Sequence, residues 1–238
     1  MKGKAIRSLS TNAVLLVIIM AVFTLAFGGS VMQVLSPPGI TPIVRGNPDK
    51  KQVSLMVNVY WGTEFIPGML EVFKDYGVST TFFIGGTWAE NNGDMLRSIY
   101  DAGHELGNHG YFHIDHKKAT YAKNYEEIFV AERMIASFTD HKTTLFAPPS
   151  GAYSKETLRA ADNLGYKVIM WSRDTVDWRD KQRSDVYKRC TKDIKGGELI
   201  LMHPTAHTLA ALPDVLDYYR QNGFLAVTVS KNIAPSET

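Results

Sequence analysis

The sequence predicts an α/β fold of parallel strands joined by crossover helices, seven to eight units that suit a (β/α) barrel better than an open sheet. Two observations predict it. Strand-length apolar runs alternate with runs of helical period from residue 53 to residue 229, and residues of unusual chemistry gather where those strands end. Size is a third: 238 residues with 45% hydrophobic content bury one full core.

The β-branched run Val53 to Val59 reads as the first strand, followed by a helical Ile66 to Tyr76. Thr80 to Ile84 and a helix from Trp88 to Ala102 come next, then a short strand His104 to Gly107 ahead of a helix Glu126 to Phe138. The alternation continues through strand Thr143 to Ala147, helix Lys155 to Leu164, strand Lys167 to Trp171 and helix Val186 to Ile194. Strand Leu199 to Met202, helix Leu212 to Gln221 and strand Phe224 to Val229 complete it, with no internal repeat or low-complexity segment.

Before this domain, which is read as residues 52–238, the chain has two other parts. Lys2, Lys4 and Arg7 precede an apolar run from Ala13 to Phe27, the charged and hydrophobic regions of an export signal. Ala26 and Gly28 offer a cleavage site. Against cleavage, the apolar character continues to Leu35, so Ala13 to Leu35 has the length of a bilayer span, and residues 1–35 are read as an uncleaved anchor in preference to a signal peptide. The basic flank places the amino end inside and the body outside the cytoplasm. Residues 36–51, with Pro37, Pro38, Gly39, Pro42, Gly46 and Pro48, read as a linker.

A net charge of +2, with no basic run longer than Lys117-Lys118 in the body, argues against nucleic acid as a partner. The one cysteine, Cys190, cannot form an internal disulfide and has no motif of a nucleophile around it.

Asn58 to Gly62, His109 with His113, Pro148 to Gly151, Asp174 to Trp178, and His203 all follow predicted strand ends, which share one face of a barrel. His109 and His113 stand four apart, a spacing that lets both rings turn a nitrogen toward one ion, and such an ion needs a third ligand. They enclose no Glu, so the metalloprotease pattern H-E-x-x-H is absent. His203 and His207 have the same spacing, but Pro204 interrupts any helix that would align them. His104 reads as a core histidine, and His116 and His141 as solvated loop residues. No G-x-S-x-G or phosphate loop occurs.

Ala102-Gly103-His104-Glu105-Leu106-Gly107-Asn108-His109, Leu201-Met202-His203 and Thr80-Thr81-Phe82-Phe83, in this order, resemble the NodB-type polysaccharide deacetylases, the carbohydrate esterase family 4 type. The resemblance runs from about Lys51 to the end. Trp61-Gly62 and Met202-His203-Pro204-Thr205 resemble the branch found in spore-forming bacteria. It implies a distorted (β/α) barrel, hydrolysis of a carbon–nitrogen bond that removes acetyl groups from an N-acetylated cell-wall glycan, and a divalent metal, zinc or similar. An amide carbonyl is a poor electrophile. A divalent ion polarises it and acidifies bound water, a carboxylate takes the water's proton, and an imidazolium protonates the departing amine. By this resemblance His109 and His113 are metal ligands, His203 is the acid, and Asp177 is the aspartate that favours its charged ring. Pro149 and Ser150 form the groove wall, with the Ser150 N–H as the oxyanion donor. Trp61, Tyr153 and Trp178 offer flat faces to a sugar ring.

The family's first strand ends Thr-Phe-Asp-Asp-Gly, whereas this chain has Asn58 at the base and Val59 at the metal aspartate. Aligning on Gly62 puts Tyr60 and Trp61 there instead, and neither register supplies a carboxylate. Ala147 stands where the family has the arginine that accompanies the base. An arginine left facing no aspartate would be an uncompensated charge, so the two are expected to disappear together. Two rescues follow: Glu64 serves as base or third ligand, or two histidines and water hold an ion weakly. The sequence thus leaves two readings: a deacetylase with an altered base and metal half-site, its metal weakly held or absent, or a pseudoenzyme that binds glycan in the same groove.

Overall fold

The computed structural model describes residues 40–235. The anchor or signal reading for residues 1–35, and residues 36–39 of the linker, lie outside the described residues. Among those described, no helix is long and apolar enough to cross a membrane.

Eight strands form one parallel sheet: β1 (Gln52–Val59), β2 (Thr81–Ile84), β3 (Glu105–Asn108), β4 (Leu145–Phe146), β5 (Lys167–Val168), β6 (Arg173–Asp174), β7 (Glu198–Met202) and β8 (Leu225–Ala226). The order is β5-β4-β3-β2-β1-β7-β6, and β8 pairs with the first two residues of β1. The helices are α1 (Ile66–Asp75), α2 (Gly86–Asn91), α3 (Gly93–Asp101), α4 (Tyr121–Thr139), α5 (Lys155–Asn163), α6 (Arg183–Thr191), α7 (Ala206–Gln221) and α8 (Val229–Asn232), with 3-10 turns at Thr63–Phe65 and Pro149–Gly151. This is the distorted (β/α) barrel that the alternation and the family resemblance imply.

The pleat sorts each strand between two apolar layers. Val53, Leu55, Val57 and Val59 of β1, with Phe82, Ile84, Ile200 and Met202, pack outward against the helices. Met56, Phe83, Leu145, Ala147, Ile169 and Leu199 fill the barrel interior. A Cβ on Gly107 would lie 2.4 Å from the Phe83 ring, so the glycine leaves the interior volume that this ring occupies. Below that layer Val229 and Asn232 of α8 close the amino-terminal mouth. The Asn232 Nδ2 donates to Ser54 Oγ at 3.1 Å and to Glu198 O at 3.2 Å, which leaves the opposite mouth for a site.

Several boundaries differ from the sequence expectation. Trp88 to Ala102 is two helices, because Asn92 (φ −138°, ψ 39°) breaks the path and Gly93 lets the Phe138 ring approach. α4 and α7 begin well before Glu126 and Leu212, because the Thr120 and Thr205 hydroxyls accept from the Lys123 and Thr208 N–H groups and cap those ends. The predicted strand Lys167 to Trp171 stops at Val168, and the unpredicted β6 follows after only Ile169 to Ser172, without a crossover helix. The last strand is confined to Leu225–Ala226, and Val229 begins α8.

The linker reading of residues 36–51 is corrected over its described part. Ile43 donates to Val168 O and accepts from the Met170 N–H, both at 2.8 Å, and the Gly46 N–H reaches Gly197 O at 2.7 Å. The segment therefore spans the gap between β5 and β7. Its Pro and Gly content reflects a non-repetitive path, while its backbone groups are satisfied by the sheet ends. Buried Glu198, 2% exposed, fixes the same seam: it pairs with Arg45 at 3.2 Å and Arg173 at 3.3 Å and accepts from the Ser172 hydroxyl.

His104 lies in the core as expected, 6% exposed between Phe73 and Phe82, where its Nδ1 accepts the Thr80 N–H at 3.1 Å. Cys190 is also a core residue, and burial pushes its thiol up to about 12, which removes it as a nucleophile.

A chain shortened to begin at Lys51 is expected to lose on the order of 3 kcal/mol relative to one beginning at Ile40, about 1 kcal/mol for each of the three backbone bonds above. The check is the urea midpoint; an unchanged midpoint would return the segment to the role of linker. Burial lowers His104 from 6.5 to about 4, so its contribution is complete above pH 6.5 and is lost as the unfolded chain takes up a proton on acidification toward pH 4. Unfolding free energy should therefore fall across that window, and His104→Gln should flatten the fall by up to about 1.4 kcal/mol per pH unit.

Candidate active site

At the carboxyl ends of the strands a cleft of about 330 Å³ is lined by Asn58, Tyr60, Trp61, His109, His113, Ser150, Trp171, Asp174, Trp178, Leu201 and His203. The loop after β1 reaches it through Gly62, whose φ of 79° turns the chain. A Cβ on Gly62 would sit 2.1 Å from Pro204 O, so the loops after β1 and β7 meet backbone to backbone.

The loop carrying the two histidines is held by residues behind it. Asn108 Oδ1 accepts the Gly110 N–H at 2.8 Å while its Nδ2 donates to Ile128 O at 2.8 Å. Glu127, 1% exposed, accepts from the Tyr111 N–H at 3.0 Å and the Phe112 N–H at 2.7 Å. Thus positioned, the His109 and His113 rings meet edge to face at 5.2 Å between centroids. His109 Nδ1 lies 2.7 Å from Ala147 O, which can only accept, so that nitrogen carries the proton and the lone pair is on Nε2. Burial, with the neighbouring His113 ring, pushes His109 down to about 3, and burial also lowers His113.

On the opposite wall His203 Nδ1 donates to Asp177 Oδ1 at 2.7 Å, and its backbone N–H donates to Oδ2 at 2.7 Å. The Thr208 hydroxyl reaches the same oxygen at 2.6 Å, and His207 Nε2 donates to Asp177 O at 2.6 Å. Burial pushes the Asp177 carboxyl up, but the His203 hydrogen bond and charge, the Thr208 hydroxyl and the His203 N–H outweigh it and hold the group below the usual carboxylate range.

Asn58, Trp61, His109, His113, Ser150, Trp178 and His203 are therefore brought together, with Asp177 directly behind His203. Others are not. Val59 is fully buried in the layer between sheet and helices, so the pleat that turns Asn58 into the cleft turns Val59 away from it. Tyr60 and Trp61 do face the cleft, but as rings stacked on His113 at 4.4 Å and on His203 at 5.7 Å. Glu64 is corrected: it is exposed on the 3-10 turn after Gly62 and does not line the cleft. Pro149 is buried beneath Ser150, itself held at a φ of 54°, and Tyr153 stands outside the lining. Ala147 is buried and acts through its carbonyl. His116 is corrected from solvated to fully buried, because α4 delivers Asn124, whose Oδ1 takes the His116 Nδ1–H at 2.6 Å.

Asn108, Glu127, Tyr60, Trp171 and Asp174 received no role from the sequence. Trp171 and Asp174 had a signal, since Trp171 follows the short β5 and Asp174 ends the short β6. Glu127 had one too: Asn124, Glu127, Ile128 and Ala131 form the buried stripe of α4, and a carboxylate in such a stripe is there to be hydrogen-bonded. Among the described residues no three His, Cys, Asp or Glu side chains converge as a metal site. Two imidazoles on which no third such side chain converges fall short of the three protein ligands that a resident divalent ion needs.

Glu127→Ala should leave the Tyr111 and Phe112 N–H groups without their acceptor, at a cost of about 2 kcal/mol. Hydrogen exchange at those two amides is expected to accelerate at least about tenfold, and unchanged protection would show that Glu127 does not hold the loop.

Residues 45–169 match the family described as polysaccharide deacetylase, a match that begins at the residue pairing with Glu198 across the seam. The uncharacterized protein YlxY of Bacillus subtilis is 35% identical over 190 residues, 80% of this chain and 60% of that protein. The peptidoglycan-N-acetylglucosamine deacetylase PgdA of Listeria monocytogenes is 28% identical over 182 residues, 76% of this chain and 38% of that enzyme. The chain thus spans less than two thirds of either relative. Among solved structures, BA3943 from Bacillus anthracis, described as a CE4 family pseudoenzyme, superposes with a TM-score of 0.80 at 35% identity, covering 82% of this chain and 69% of that one. A BA3943 mutant described as having restored enzymatic activity has the same TM-score at 33% identity, covering 82% and 72%. The chain belongs to the polysaccharide deacetylase family.

Proposed function

We propose that this protein holds an N-acetylated cell-wall glycan in the rim cleft without deacetylating it, the pseudoenzyme reading of the fold. One observation carries the proposal: where the reaction needs a carboxylate to take a proton from water, the cleft presents the carboxamide of Asn58, 4% exposed, and Val59 beside it lies in the core. A carboxamide accepts no proton at neutral pH. Losing a positioned base alone costs about a hundred- to ten-thousandfold in rate, and the donor set also fits no ion to polarise the carbonyl.

The Asp177–His203 pair favours the other reading, a slow deacetylase, since the acid half of the site is geometrically complete. A structural role accounts for that completeness. Asp177 ties the loop after β6 to the backbone of His203 and to the hydroxyl of Thr208 in the first turns of α7. Its replacement would leave those donors buried and unpaired, whether or not any amide is hydrolysed. The likeness to BA3943 supports the same reading, as do Trp61 and Trp178, 44% and 53% exposed on the cleft rim, where their faces suit sugar rings. With the apolar segment Ala13 to Leu35 as an anchor, the cleft would face the wall outside the cytoplasm.

The test measures acetate release and binding for oligomers of N-acetylglucosamine, with and without added zinc. The wild type is expected to release no acetate above background yet to bind, with Trp61→Ala or Trp178→Ala weakening binding by about tenfold. Acetate release that disappears in His203→Ala would overturn the proposal.

A further inference from the structure

A second pocket lies at the opposite ends of the strands, where β2 and β3 begin, and it shares no lining residue with the cleft. We infer that it binds a small uncharged molecule with an apolar body and one carbonyl oxygen, which accepts the His104 Nε2–H. His104 is 6% exposed, yet only one of its ring nitrogens is paired. The Thr80 N–H donates to Nδ1 at 3.1 Å, which requires the lone pair there and so fixes the ring proton on Nε2. Phe73 and Phe82, edge to face with centroids at 5.4 and 5.1 Å, hold the ring in that orientation. Nε2 itself has no hydrogen-bond partner among the described residues, and it is not sealed from solvent as the unpaired Nε2 of His116 is. A donor on so buried a residue, left open to a pocket, points to a ligand acceptor.

The walls define the rest of the ligand. Leu70 and Phe73 of α1 and Val78 of the turn before β2 give apolar surface around a volume of about 550 Å³. His104 is the only buried polar residue of this lining, and burial lowers it to about 4, so at neutral pH it is an uncharged donor. Glu71 and Lys74 stand exposed at the edge, one charge of each sign, and their balance favours neither an anion nor a cation. A carboxylate would leave water for an apolar space with no cation at its buried end. An ammonium would set donors against a donor. A neutral carbonyl meets neither cost.

The experiment titrates the full chain at neutral pH with benzamide, benzoate and benzylammonium, one ring carrying in turn a neutral carbonyl, an anion and a cation, and follows the NMR signals of the protein. Benzamide is expected to shift the amides of residues 77–80 and 102–105 saturably, with a dissociation constant on the order of 1 mM, and to move the His104 Nε2–H resonance. Both ions should bind at least about tenfold more weakly. Val78→Trp fills the pocket from its wall and should abolish the response, and its melting temperature verifies that it folds. If it does not fold, the His104 resonance of the wild type decides alone. Absence of a saturable response, equal or tighter binding of either ion, or an Nε2–H resonance unmoved at saturation would overturn the inference. Persistence of the response in folded Val78→Trp, or displacement of benzamide by N-acetylglucosamine tetramer, would place the probe elsewhere and overturn it as well.

Discussion

The alternation of side chains along β1 is the constraint on which the rest of the molecule depends. This strand pairs with β2, β7 and β8, and every residue from Val53 to Val59 is buried. Its odd positions anchor the helical layer and its even positions build the barrel interior. A shift by one residue would place four valine and leucine side chains inside and expose Ser54, Met56 and Asn58 to the helices, so the register is strongly specified. The functional consequence is local: the last inward residue is an amide, the last outward residue a valine, and the aromatic pair that follows covers the two walls of the cleft.

A second constraint is closure. The end strands β5 and β6 do not pair with each other, and the seam is bridged by Ile43 to Gly46 and by the buried carboxylate of Glu198. A buried carboxylate is stabilising only when its charge and lone pairs are satisfied, which here takes two arginines and a serine from two different segments. The same economy recurs at the rim. Asp177 serves His203, Thr208 and the loop after β6 at once, and Glu127 serves two consecutive N–H groups of the histidine loop. Each of these two carboxylates holds a loop in place through more than one donor at once.

Much of the architecture was legible because it rests on local pattern. Apolar runs of two periods located most strands and helices, and the breaks came where a short-range feature interrupted a run: Asn92-Gly93 within a predicted helix, or the capping hydroxyls of Thr120 and Thr205 ahead of one. The cleft was legible to the extent that its residues follow strand ends, which is why Asn58, His109, His113, Ser150, Trp178 and His203 were all found. Glu64 was misplaced because the turn at Gly62 sets direction through backbone torsion, and His116 because its burial depends on Asn124 from a neighbouring helix.

By itself the sequence determined the family, the alternating parallel fold and the absence of any carboxylate from residues 57–62, because these are statements about residue type and spacing. Only the tertiary structure decided that Val59 points away from the cleft, that Tyr60 and Trp61 stack on His113 and His203, that Glu64 lies outside the cleft lining, and that residues 43–46 belong to the barrel. Each of these depends on which face of the sheet a side chain occupies or which distant segment meets it. Such relations arise from pairing and packing across the whole chain, and no local pattern encodes them.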